Sequence, residues 1–160
     1  MPRFSSKIPG FISYVILRGM CEILKCGSNT QNCSGMTQPS KRQLKTGEGW
    51  RIGWDASAPI YKGLIGTDDW AIELTEAELD DFCRLALELA GTMQQIVTEL
   101  MDEEQISCEV ESDRLWLEAD GFPHAYELRV MVLGDRRCEG AWVASAVPSL
   151  LQAIQTLRVF

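Results

Sequence analysis

The chain has 160 residues, 46% of them apolar, and a formal net charge of −8, which fits one globular domain because domains commonly run to roughly 100–150 residues. The charge is uneven: residues 1–45 carry seven Lys and Arg against Glu22 alone, a net of +6, while the other 115 carry eight against 22, a net of −14. A body that acidic repels polyanions at long range, which argues against a general nucleic-acid binder.

The N-terminal apolar run, Phe11 to Leu17, is shorter than the roughly 20 residues of a membrane span, and no small-residue cleavage pattern follows it at signal-peptide distance. Residues 27–40, GSNTQNCSGMTQPS, are polar, rich in turn formers and without periodicity, the composition of a disordered segment. An organelle transit peptide is one alternative for this basic stretch. The favoured expectation is that translation begins at Met36 and that the residues before it come from an over-long gene reading; the intact mass of the native protein tests this. Residues 1–45 are therefore set apart as a disordered or spurious extension, with a single acidic α+β domain over 46–160 and a cytoplasmic location.

In the body, Trp50, Ile52 and Trp54 alternate with Arg51 and Gly53, the period of two that lays one face of a strand against a core. The stretch DASAPIYKGLIGTD that follows is long for a hairpin loop, and its Ile60, Tyr61, Leu64 and Ile65 predict a short extra strand or a flap over the sheet. Trp70, Ile72 and Leu74 repeat the alternation and belong in the same sheet. Thr75 ends that strand and, with Glu78 three residues on, spells a capping box. Beyond it Leu79, Phe82, Ala86, Leu89, Met93, Ile96 and Leu100 recur at spacings of three and four, which predicts one long central helix over about 76–101 with an apolar stripe. Leu85, Leu87 and Val97 broaden the stripe. If two helices exhaust themselves covering the sheets of one chain a monomer suffices, and if the stripe is too broad a homodimer is needed.

The second half reads as a four-stranded antiparallel meander. Cys108 and Val110 face one way and Glu109 and Glu111 the other; Ser112-Asp113 turns the chain; Leu115, Leu117 and Ala119 face in, with Trp116, Glu118 and Asp120 out. A turn at Asp120-Gly121 leads to an inward row of Tyr126, Leu128, Val130 and Val132, and Gly134-Asp135 is a two-residue hairpin signal before a last strand over Cys138 to Val143. Val147-Pro148 then opens a C-terminal helix over about 146–158, whose apolar side is Leu150, Leu151, Ile154 and Leu157. A shift of 72 residues places Trp70 on Trp142, Leu79 on Leu151, Phe82 on Ile154 and Leu85 on Leu157, so the chain reads as two pseudo-repeated strand-then-helix units.

Cysteine and histidine usage points to no metal or cofactor. Cys21, Cys26 and Cys33 have no defensible zinc spacing, the single His124 is remote, and Cys83, Cys108 and Cys138 fall where small buried hydrophobes belong. Without a secretory signal, disulfides are not expected. No residue set has the pairing a catalytic centre needs, so no catalytic residue is assigned.

The segments GWRIGWD, DDWAIELTEAELDDFCRL, ELMDEE, CEVESD, LWLEADG, PHAYELR and AVPSLLQAI together resemble a family of small cyanobacterial proteins classed as a domain of unknown function. The resemblance spans residues 47–158 and implies a fold similar to that of the Whirly and positive-cofactor-four proteins, which bind single-stranded DNA. Such binding needs a basic groove and aromatic stacking faces. Here Trp116 supplies an aromatic on the exposed side of the meander, with Trp50 and Trp54 assigned to the core, but its neighbours are Glu109, Glu111, Glu118, Asp120 and Glu127, countered by Arg114 and Arg129. The expectation is therefore a non-catalytic interaction module whose acidic face, Glu109, Glu111, Arg114, Trp116, Glu118, Arg129 and Met131, docks a basic protein partner. Single-stranded nucleic-acid binding is the alternative.

Overall fold

The computed structural model of the protein describes residues 42–99 and 104–157. The expectations for Met36, Cys21, Cys26, Cys33 and Leu100 lie outside them. Within these residues four strands, β1 (Arg42–Gly47), β2 (Trp50–Asp55), β3 (Gly63–Gly66) and β4 (Ala71–Leu74), lead into helix α1 (Glu76–Glu99). Four more follow, β5 (Ile106–Glu111), β6 (Leu115–Phe122), β7 (Ala125–Val132) and β8 (Glu139–Trp142), and lead into helix α2 (Val147–Thr156). Each set of four pairs antiparallel in chain order, giving sheet A (β1-β2-β3-β4) and sheet B (β5-β6-β7-β8). The fold is α+β, and the strand-then-helix unit occurs twice as ββββα.

The alternations set the inner faces. In sheet A, Ile52, Ile65 and Ile72 stand opposite one another across three strands, and Trp50, Trp54 and Leu74 are buried beside them. In sheet B the matching row is Val110, Leu117 and Val130. Both inner faces and both helices meet in one core cluster. From α1 it takes Leu79, Phe82, Leu85, Ala86, Leu89 and Met93, each at most 2% exposed, and burial of a large apolar side chain is worth roughly 1.5–3 kcal/mol. The helices are exchanged between units: α1 lies chiefly across β5 and β6 of sheet B, and α2 chiefly across β1 and β2 of sheet A. Trp142 locks the crossing. Its ring packs 5.0 Å from that of Trp70 and 5.5 Å from Phe82, and its buried Nε1–H donates to the Gly66 carbonyl at 2.9 Å, as a buried indole requires.

The capping box forms as the spacing predicts. The Thr75 N–H donates to Glu78 Oε2 at 2.7 Å and the Glu78 N–H to Thr75 Oγ1 at 3.3 Å.

Several boundaries differ from the sequence reading. β1 starts at Arg42, inside the segment set apart as an extension, and is held by a full antiparallel ladder to β2. The strands bearing Trp54 and Ile72 share a sheet but are not neighbours, because the extra strand β3 lies between them, and Trp70 stands just ahead of β4. β6 continues through Asp120-Gly121 to Phe122, so Pro123-His124 makes the turn. Gly121 stays paired with Tyr126 at a φ of 144°, which glycine alone adopts easily. The β7–β8 connection is longer than two residues, with Gly134 and Arg137 both at positive φ, and β8 begins at Glu139. Leu87 and Val97 of the broadened stripe remain partly or well exposed.

Candidate functional site: the outer face of sheet B

Because paired residues across a ladder share a face, the register of sheet B defines its outer surface row by row. One row is Ser107, Asp120 and Glu127; the next Glu109, Glu118, Arg129 and Ala141; the third Glu111, Trp116, Met131 and Glu139. Helix α1 packs against the other side across β5 and β6, and α2 reaches β7. Six carboxylates and one guanidinium stand on this face, a net of 1 − 6 = −5.

Trp116 and Met131 sit opposite each other on the two inner strands in the third row, at the end of the face nearest the β5–β6 turn, both half-buried. The indole Nε1–H donates to Glu109 Oε2 at 3.2 Å, which fixes the ring on the sheet with the carboxylates of Glu109 and Glu111 alongside. Arg129 Nη1 approaches Glu118 Oε2 at 3.4 Å, and Ser107 Oγ donates to Glu118 Oε1 at 3.1 Å. At the outer row Gln105 Nε2 donates to Asp120 Oδ1 at 3.0 Å. These are exposed contacts, each worth about 0–1 kcal/mol, so they order the face without neutralising it.

The structure brings together six of the seven residues named from the sequence: Glu109, Glu111, Trp116, Glu118, Arg129 and Met131. Arg114 is the exception. It sits in the β5–β6 turn, and its Nη1 reaches 3.2 Å to Asp81 Oδ2 of α1, to which Ser112 Oγ also donates, while Arg84 binds Asp81 Oδ1. Burial would push the Asp81 carboxyl up, but the hydrogen bonds from Ser112, Arg84 and Arg114 hold it below the usual range. Arg114 therefore ties sheet B to α1 rather than balancing the face. Sequence reasoning missed Ser107, which shares the parity of Glu109 and Glu111 in β5, and Glu139, whose place depends on a β8 boundary that the pattern put one residue early.

Elsewhere, the only His, His124, is exposed and stacks on Phe122 with ring centroids 6.0 Å apart. Burial, with Asp80 nearby, pushes the Cys83 thiol up to about 12, and burial also raises Cys138. Neither is poised as a thiolate nucleophile. Among the described residues no group of three or more His, Cys, Asp or Glu is arranged to hold a metal ion, and no helix is long and apolar enough to cross a membrane. A second polar cluster joins the units: Arg136 bonds Glu78 and donates to the Glu73 carbonyl at 2.5 Å, while stacking 4.8 Å over the Tyr61 ring.

Fold and face together define a double ββββα domain with exchanged helices and one open, acidic sheet. The chain belongs to the family described as a domain of unknown function, DUF1818, whose sequence model matches residues 45–157. It is also similar to a solved protein of unknown function, described as from the DUF155 family, of the cyanobacterium Prochlorococcus sp. NATL2A. The two are 28% identical with a TM-score of 0.68, over 72% of this chain and 97% of that one. No curated protein matches.

Proposed function

We propose that the protein is a non-catalytic docking module that receives a basic protein segment on the outer face of sheet B. The observation that carries this reading is the make-up of that face: a Trp116 and Met131 pair flanked in its own row by Glu111 and Glu139 and in the next by Glu109 and Glu118, with Arg129 as the one counter-charge on the face. An indole beside carboxylates suits an incoming arginine or lysine, through cation–π attraction and charge together. Aromatic residues and methionine are also the types enriched where protein surfaces meet.

The alternative is single-stranded nucleic-acid binding of the Whirly type. It needs cations that follow the phosphates, and this face offers the opposite sign. Trp50 and Trp54, each 7% exposed, are shut in the core and give bases no surface to stack on.

Calorimetric titration with an arginine- and lysine-rich peptide, in parallel with a single-stranded oligonucleotide, tests the choice. The peptide is expected to bind and to weaken as salt rises, with the oligonucleotide silent. Oligonucleotide binding at physiological salt with no peptide binding would overturn the proposal in favour of the alternative.

A further inference from the structure

Strand β5 forms one edge of sheet B, and among the described residues it pairs with β6 alone. The Ser112 N–H donates to the Leu115 carbonyl at 2.8 Å, and an antiparallel ladder alternates bonded with unbonded pairs. Continued along the β5–β6 register, this alternation bonds Val110, Cys108 and Ile106 to β6. The N–H and C=O groups of Ser107, Glu109 and Glu111 then turn to the open edge. The side chains of the same three residues stand on the acidic outer face, all exposed.

The core side of the edge is incomplete as well. Leu117 and Val130 on the inner strands are fully buried, whereas Ile106, Cys108 and Val110 on the core side of β5 are only partly so. One more strand would cover that row. β1, an edge of sheet A, differs: it sets Gln43 and Lys45 on its core side, opposite Trp54 and Ile52, and offers no apolar row.

We propose that the basic segment docks by strand addition, extending sheet B as a fifth strand along β5. This rests on the docking reading and names the form of the partner. Residues of the segment opposite Ser107, Glu109 and Glu111 pair with their free main-chain groups and project onto the outer face. There the two glutamates favour Lys or Arg as cross-strand neighbours. The residues between project to the core side, over Ile106, Cys108 and Val110, and are apolar. The occupant is thus an extended stretch of roughly five or six residues in which basic and apolar side chains alternate, a period that a helix does not present. The same charges select against a second copy of this chain. Joining two β5 edges would set Glu109 and Glu111 beside glutamates of the other copy, and like charges on facing strands are destabilising.

Calorimetry of the full chain with a short alternating arginine–valine peptide tests this, using forms N-methylated at every arginine amide or at every valine amide. Only the amides turned toward β5 donate to it, so one set alone is expected to weaken binding, by at least ~10-fold; it is the arginine set if the new strand runs antiparallel. Amide hydrogen exchange supplies a second reading on the unmodified protein. Glu109 and Glu111 should slow when the peptide binds, with Val110 protected in both states. Binding that tolerates both methylated forms, or that leaves the Glu109 and Glu111 amides as fast as before, would overturn strand addition while the docking reading stands. Failure of every arginine-bearing peptide to bind would overturn both.

Discussion

Replacing Glu78 with alanine removes two contacts at the start of α1. Its carboxylate accepts the Thr75 N–H at 2.7 Å, closing the capping box, and binds the Arg136 guanidinium from the β7–β8 connection. The Glu78 side chain is 13% exposed and that of Arg136 31%. Burial works against the charge, but the hydrogen bonds from Arg136 and Thr75 outweigh it and hold the carboxyl below its usual range. A lost cap costs about 1 kcal/mol, and a hydrogen bond to a charged group about 1.5–3 kcal/mol, taken at its low end because Arg136 is partly screened by water. Glu78→Ala is thus expected to cost about 2–3 kcal/mol, which for a domain of this size lowers Tm by roughly 8–15 °C. Urea melts of Glu78→Ala, Arg136→Ala and the double variant isolate the pair, with an expected coupling of about 1–2 kcal/mol. A Glu78→Ala cost under ~0.5 kcal/mol, or no coupling to Arg136, would refute the argument that this residue clamps the two units.

Asp80 gives the opposite sign: burial and repulsion from Glu76 and Asp81 raise its pKa, and its Oδ1 is buried without a partner. Asp80→Asn is expected to raise stability at neutral pH by a few tenths to about 1 kcal/mol, read as a higher urea midpoint. For Glu78 and Asp81, whose folded pKa values are lowered, the stabilising contribution is complete above the ordinary carboxylate pKa of about 4 and is lost as pH falls through the folded values. Thermal melts should therefore hold steady above that range and drop below it, and Glu78→Ala should flatten the drop. Gly140→Ala puts a Cβ 2.3 Å from the Trp70 ring; with the ring held against Trp142, the cost is expected at about 2–4 kcal/mol, and a near-neutral melt would show that the Trp70 ring gives way freely.

What the sequence made legible follows from which forces leave a periodic trace. The Thr75–Glu78 box, the α1 stripe and the inner rows of β2 and β4 to β7 are legible because one-sided burial writes periods of 3.6 and 2 into the residues. β1 is not, since Arg42, Gln43, Leu44, Thr46 and Gly47 are all exposed and its backbone ladder to β2, rather than an apolar face, holds it. β3 was legible only as one of two readings, a short extra strand or a flap, because it is bounded by Gly63 and Gly66, which read as turn formers. A Cβ on Gly63 would come within 2.9 Å of Leu79, and one on Gly66 within 2.3 Å of the Trp70 carbonyl, so close packing is their cause. The acidic face was legible because alternation sorts Glu109, Glu118 and Trp116 to one side. Arg114 escaped this logic, since its partner Asp81 lies 33 residues away on α1, and no local pattern carries that contact.

The most direct test of the docking reading is the affinity of one arginine-rich peptide for the wild-type protein and for a Glu109→Lys/Glu111→Lys variant, each with and without Trp116→Ala, across a salt series. The charge reversal and the Trp116 truncation are each expected to weaken binding at least ~10-fold at low salt, with the melting temperature of the exposed-charge variant unchanged. Equal affinity for all four proteins would contradict the assignment of the sheet B face.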